Sequence, residues 1–189
     1  AGGGREGCVP WFYRLGSNTL VGRKPRSLKE LVLLQKQKVT AIVSVVQPHE
    51  HDVPPHEVKA MGFSQLELSV REGDPLSIAQ LLEGVRFLRH IVEVRGGTVF
   101  VHCRKGRVRC VMLSVAFAMA HYGLDAEAAE AAVLEAVPCG RLRRKHKETL
   151  RVLGRLFRAH AHDHAFTRAL DLTSADHRAF AHPVSSRCA

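Results

Sequence analysis

Thr98-Val99-Phe100-Val101-His102-Cys103-Arg104-Lys105-Gly106-Arg107-Val108-Arg109-Cys110 is the stretch on which the reading of this chain turns. Its first residues are an apolar, partly β-branched run suited to a buried strand, and a second apolar run, Val111 to Ala120, follows as a core helix. Between them Cys103 and Arg109 straddle Gly106, which allows a sharp backbone turn. A strand, a tight loop and a helix in this order turn the loop's N–H groups inward at the helix start. Such a cradle holds a phosphate-sized dianion through unpaired amides and the positive end of the helix dipole. The same field favours the thiolate of a cysteine at its mouth, making Cys103 a candidate nucleophile. Arg109 supplies a planar, always-charged fork for two phosphate oxygens. Arg104, Lys105, Gly106, Arg107 and Val108 form the rest of the candidate substrate-binding loop, and His102 orders it by hydrogen bonding from the strand end. A lone buried Cys after a strand is ordinarily a small core residue. The joint placement of His102, Cys103, Gly106 and Arg109 argues against that here.

Working outward, the chain alternates strands and helices. Thr19-Leu20-Val21 is a short strand candidate. Ser27-Leu28-Lys29-Glu30 has a capping-box pattern opening a helix through Leu31, Leu33 and Leu34. Val39 to Val46 is apolar on both faces, as an interior parallel strand is. Pro54-Pro55 opens a short helix ending near Gly62, and Phe63 to Val70 reads as a further strand. After the loop 71–75, apolar residues from Ile78 to Val92 recur at helical spacing. Asp125 caps an Ala-rich helix that Pro138-Cys139-Gly140 breaks, and a basic helix spans roughly 143–160. The expectation is one α/β domain over residues 11–160, with a mainly parallel central sheet flanked by helices on both faces. Residues 1–10 are expected to be flexible, as is the tail 161–189, whose His162, His164, His177 and His182 lack metal-ligand spacing.

Composition narrows the partners. The 189 residues carry a formal charge of +10, which favours anionic ligands. The charge is uneven: residues 141–158 hold eight Lys/Arg against the single acid Glu148. Solvated helix faces are the ordinary reading of such clusters. Nucleic acid is not expected, because aromatics are only 6% of residues and no recognition motif is present. The five cysteines (8, 103, 110, 139 and 188) are odd in number and unframed, pointing to a reducing, intracellular compartment. No metal-ligand pattern or cofactor motif appears. The chain begins at Ala1-Gly2-Gly3-Gly4 without an initiator Met, as a fragment or processed form does.

The chemistry these residues permit is attack of Cys103 on a phosphomonoester, giving a cysteinyl-phosphate that water then hydrolyses. Protonating the leaving group needs a carboxylic acid on a facing loop. Glu72 and Asp74 in the loop 71–75 are both candidates, and both are also ordinary turn residues. One competitor exists for the loop itself. Cys103 to Val108 also resembles the six-residue persulfide loop of rhodanese-type sulfurtransferases, which do not require an arginine at the position of Arg109.

On these residues the chain resembles the dual-specificity phosphatases, specifically the mitochondrial protein tyrosine phosphatase family, over about residues 11–158. His102 to Arg109 is similar to the family's phosphate loop. Trp11-Phe12-Tyr13-Arg14 with Leu20-Val21-Gly22 resembles its opening Trp-x-x-Arg and strand-Gly. Val43 to Glu50 is similar to its strand and Asn-Glu-x-Tyr-Glu segment, and Leu68 to Glu72 falls where the family has the strand leading to its acid. The resemblance implies a dual-specificity phosphatase fold, phosphatidylglycerophosphate, phosphoinositide-like lipid or phosphoprotein as substrate, and a mitochondrial location, with the cytoplasm as the other reducing compartment.

Three departures from the family pattern stand out. Glu72 aligns where the family has Asp, with Asp74 two positions later. Cys110 replaces the Ser or Thr that normally follows the arginine and helps to stabilise the thiolate and hydrolyse the phosphoenzyme; a thiol is a poorer donor. This motivates a second reading as a pseudophosphatase, a phosphate-binding or membrane-docking module with weak turnover. It also places a second sulfur near the nucleophile, suggesting a reversible Cys103–Cys110 disulfide. Lys105 sits where a small residue is usual and suits a substrate with several negative charges. With such a lipid, the basic helix 141–158 is a candidate for contact with an anionic membrane surface.

Overall fold

The structure is a computed structural model and describes residues 10–160; the expectations for residues 1–9 and for the histidine-containing tail lie outside the described residues. Five strands, β1 (Phe12–Leu15), β2 (Thr19–Arg23), β3 (Val39–Ser44), β4 (Ser64–Glu67) and β5 (Thr98–Cys103), form one sheet in the order β1-β2-β5-β3-β4. β1 runs antiparallel to β2, and the other neighbours are parallel. The helices are α1 (Leu28–Lys36), α2 (Pro55–Ala60), α3 (Ile78–Arg89), α4 (Arg109–Tyr122), α5 (Ala126–Ala136) and α6 (Arg144–Ala159). A 3-10 turn, Pro48–Glu50, follows β3, and α3 ends in a π-helical turn, His90–Val94.

β5 lies at the centre because all six of its residues are apolar, small or neutral enough to be buried on both faces. Strand alternation divides them. Val99, Val101 and Cys103 join the larger core with α3 to α6, whereas Phe100 packs with Leu31 and Leu34 of α1 and Val58 of α2 in the smaller one. The strand therefore sends Cys103 toward α4 and His102 toward the opposite face. There His102 shares a 2.9 Å hydrogen bond between its Nε2 and the Ser44 Oγ of β3. Phe100 is fully buried and stands edge-on to Trp11 at 5.5 Å. Truncating it to Ala would cost about 3–5 kcal/mol.

Two sequence expectations are corrected locally. β1 was not anticipated: its residues are mostly half-buried, and it is an edge strand without polar–apolar alternation. Ser27 does occupy the N-cap of α1, but its side chain makes no capping bond. Glu30 instead accepts from the Arg26 amide (2.7 Å) and from both terminal nitrogens of Arg23 (2.9 and 2.7 Å). A bidentate arginine outcompetes the capping box for that carboxylate.

The basic helix forms where expected, as α6, and shares its charge with the rest of the fold. Leu150, Leu153 and Gly154 of α6 are buried, and much of its charge is answered from elsewhere in the fold. Lys147 pairs with Glu130 (2.7 Å), Arg151 with Glu127 (2.8 Å) and Lys145 with Asp74 (3.1 Å). The local excess of cations is thus partly neutralised by α5 and the loop 71–75. No helix among the described residues is long and apolar enough to cross a membrane.

Candidate active site

β5 ends at Cys103 and α4 begins at Arg109, so the five intervening residues must reverse direction within the space left by β2. Gly106 makes that possible. Its φ is +69°, and a Cβ there would lie 2.6 Å from the Arg23 nitrogen and the Gly22 carbonyl carbon. The loop is pinned at three points: Lys24 N–H donates to the Cys103 carbonyl, Val45 N–H to that of His102, and Arg141 N–H to that of Arg107, each at 2.8 Å.

Cys103 lies at the bottom of this cradle and is 3% exposed. Its sulfur is 3.4 Å from that of Cys110, which sits in the first turn of α4 and is fully buried. The two thiols are pushed in opposite directions. The hydrogen bond from Cys110, aided by the amides of Cys110, Val108 and Arg107, holds Cys103 well below the ordinary thiol range despite its burial. Burial, reinforced by the neighbouring Cys103, holds Cys110 well above it. Both shifts favour the same arrangement, a Cys103 thiolate accepting a hydrogen bond from a Cys110 thiol. A thiolate held by inward amides at a helix N-terminus is a primed nucleophile.

Arg109 is buried and is oriented by a residue the sequence reading did not single out. Its Nη1 donates to Glu50 Oε2 (2.6 Å) and to the Val70 carbonyl (2.7 Å), and its Nη2 donates to Glu50 Oε1 (3.0 Å). Burial works against the arginine's charge, but the Glu50 bonds and the Cys103 thiolate raise its pKa above the ordinary value. The same contact draws the Glu50 carboxyl from 4.5 to about 2 against the effect of burial. Glu50 is placed by the turn after β3, where its carboxylate also accepts from the Gln47 amide at 2.8 Å. The sequence signal was the spacing of Gln47 and Glu50 around Pro48, which marks a capped turn but not its target.

The remaining candidates separate. Glu72 comes to the loop, accepting from Arg104 (3.0 Å) and Lys105 (2.8 Å), and the Lys105 contact is the main cause of its lowered pKa. Asp74 turns instead to Lys145 of α6 and lies 4.0 Å from Arg71. Gly73, at φ +90°, lies between the two carboxylates. Arg107 is exposed, while Val108 is half-buried and offers its amide to the thiolate. His102 is neutral: burial lowers it from 6.5 to about 3, with His51, Lys24 and Arg109 adding to the effect. Its hydrogen bond with Ser44 ties β5 to β3. Among the described residues no group of three or more His, Cys, Asp or Glu is placed to hold a metal ion.

A mainly parallel sheet that delivers a cysteine thiolate into a cradle closed by an arginine at the next helix start is the architecture of the dual-specificity phosphatases, and this chain has that fold. No protein-family model matches it. Among characterised proteins it is similar to human phosphatidylglycerophosphatase and protein-tyrosine phosphatase 1, with 28% identity over 112 residues, 57% of this chain and 55% of that protein. The match thus spans about half the length of that relative. The structure of PTPMT1 in complex with PI(5)P superposes with a TM-score of 0.75 at 24% identity, covering 80% of this chain and 99% of the other. The active form of Tk-PTP gives 0.72 at 25% identity, covering 77% and 97%. The resemblance read from the sequence holds.

Proposed function

We propose that this protein is a cysteine-dependent phosphatase of phosphomonoesters, acting on a phosphorylated lipid headgroup in preference to a phosphoprotein. The observation that carries this is the buried Cys103 thiolate, facing the amides of Arg107, Val108 and Cys110 and followed by the Glu50-oriented Arg109. The sulfur attacks phosphorus in line, the P–O bond to the leaving group breaks, and the phosphoryl group passes to sulfur. Amides and guanidinium stabilise the charge on its equatorial oxygens. Water then cleaves the P–S bond and restores the thiolate. Glu72 is the proposed acid for the leaving oxygen. In the free protein its pKa is held down by Lys105 and Arg104. A bound phosphate dianion competes for those two cations, so Glu72 regains affinity for a proton when substrate is present. The cations of the loop and the names of the relatives support the lipid substrate, and the resemblance supports a mitochondrial location.

One observation favours the pseudophosphatase reading: the residue touching the nucleophile is a thiol, a weak donor for the hydrolysis step. A chromogenic phosphomonoester assay separates the readings. Phosphate release abolished by Cys103→Ser is expected. Binding of phosphate analogues without release would support the docking module, and thiocyanate formation from thiosulfate and cyanide would support a sulfurtransferase.

A further inference from the structure

Beside the phosphate loop lies a groove of about 630 Å³ lined by Trp11 and Tyr13 of the N-terminal edge and by loop residues 104–107. Its size falls within the roughly 300–1,000 Å³ typical of small-molecule sites. Five cations line it (Arg23, Arg26, Arg104, Lys105 and Arg107), and no carboxylate among the described residues does. Their pairing is incomplete. Arg23 is committed to Glu30 and lies over the Trp11 ring at 5.1 Å. Arg104 and Lys105 share the single carboxylate of Glu72. The side chains of Arg26 and Arg107 are exposed and make no ion pair among the described residues. The phenol of Tyr13 is raised to about 12 by burial and its contact with Cys139, so it remains a hydrogen-bond donor at neutral pH.

Solvated arginines at a strand edge would need no ligand. Here, however, cations from two separate segments, the end of β2 with the β2–α1 connection and the phosphate loop, line one groove together with two aromatic side chains and give its described lining a net positive charge. Residues 104–107 belong to both the phosphate loop and the lining of the groove, so the two adjoin.

We propose that this groove is a second anion subsite, which holds a further phosphate of the molecule whose first phosphate sits over Cys103. The preferred substrate is then a bisphosphate, with Arg26 and Arg107 meeting the second phosphate and Trp11 and Tyr13 the ring or chain that joins the two. The inference rests on the phosphatase reading and deepens it.

The test compares wild type, Arg26→Glu and Arg26→Lys on the full chain with 4-nitrophenyl phosphate and a soluble inositol bisphosphate. Arg26→Glu is expected to raise KM for the bisphosphate about tenfold relative to KM for 4-nitrophenyl phosphate, with Arg26→Lys restoring most of the difference. An equal change for both substrates overturns the subsite. So does a defect seen only on anionic vesicles and not with the soluble bisphosphate, which would mean attraction to a surface. If wild type hydrolyses neither compound, the phosphatase reading fails, and calorimetry on Cys103→Ser decides the subsite separately. Binding of inositol bisphosphate that weakens about tenfold with Arg26→Glu supports it; absent or unchanged binding overturns it.

Discussion

Replacing Glu50 by Gln removes one charge while keeping the shape of the side chain, and so isolates what holds Arg109. In the native site three hydrogen bonds fix the guanidinium, two of them to Glu50. Lowering the carboxyl from 4.5 to about 2 corresponds to roughly 3 kcal/mol of differential stabilisation of its charged form. Removing one partner of a buried pair typically costs about 3–5 kcal/mol, because the other charge is left uncompensated. Glu50→Gln is therefore expected to lose about 3 kcal/mol in urea unfolding at pH 7. The pH dependence carries the sharper signature. A carboxyl whose folded pKa is depressed contributes its full stabilisation above its unfolded value of 4.5 and loses it as pH falls toward about 2. Wild type and Glu50→Gln should thus converge as pH is lowered from 5 to 3.5, by about 1.4 kcal/mol per pH unit below 4.5. Catalysis should also suffer, with kcat/KM for 4-nitrophenyl phosphate falling about 10–100-fold as the transition-state fork loses its orientation. An unfolding midpoint unchanged at pH 7, or a stability difference that stays constant with pH, would refute the reasoning.

Cys110→Ser replaces the weak S–H donor beside the nucleophile with a hydroxyl; hydrolysis of the phosphoenzyme should accelerate and any pre-steady-state burst should shrink, whereas unaltered kinetics would mean that Cys110 does not limit turnover. With peroxide, the Cys103 thiolate is expected to become a sulfenic acid with loss of hydroxide, after which Cys110 sulfur attacks it, water leaves and a disulfide forms, reversible by a dithiol. Mass spectrometry should find the Cys103–Cys110 link in wild type and irreversible sulfinic acid in Cys110→Ser; sulfinic Cys103 alone in wild type would refute the resolving role. Glu72→Gln is expected to lower kcat by about 10²-fold or more on alkyl phosphates, whose leaving groups need a proton, and Asp74→Asn to change it less than about threefold. Equal, small losses would mean that neither carboxylate is the acid.

The part of the site legible in the sequence is the part built from one contiguous segment. Cys103, the turn at Gly106, the amides and Arg109 all lie on a single strand–loop–helix, so spacing alone placed them together. The sheet was legible for the same reason: β3 and β5 are buried at nearly every position, and their apolar runs have few alternatives. β1 was not, since an aromatic edge strand carries neither alternation nor a continuous aliphatic run.

What stayed hidden depends on partners distant in the chain. Glu50 stands among prolines and histidines in a turn, 59 positions from Arg109, and only the sheet order β5-β3 brings the two ends together. Glu72 and Asp74 are chemically alike and two residues apart, yet one meets Arg104 and Lys105 while the other meets Lys145. The charge of α6, counted locally, reads as a solvated face or, with a lipid substrate, as a candidate for contact with an anionic membrane. Carboxylates on α5 and in the loop 71–75 answer part of it, and the exposed Arg141, Arg143, Arg155 and Arg158 keep the rest of that face basic. A short-range count of charge omits neutralising groups that sit on the next helix, and for the same reason Arg26 and Arg107 are noticed only after folding. They lie 81 positions apart in sequence and line one groove in space.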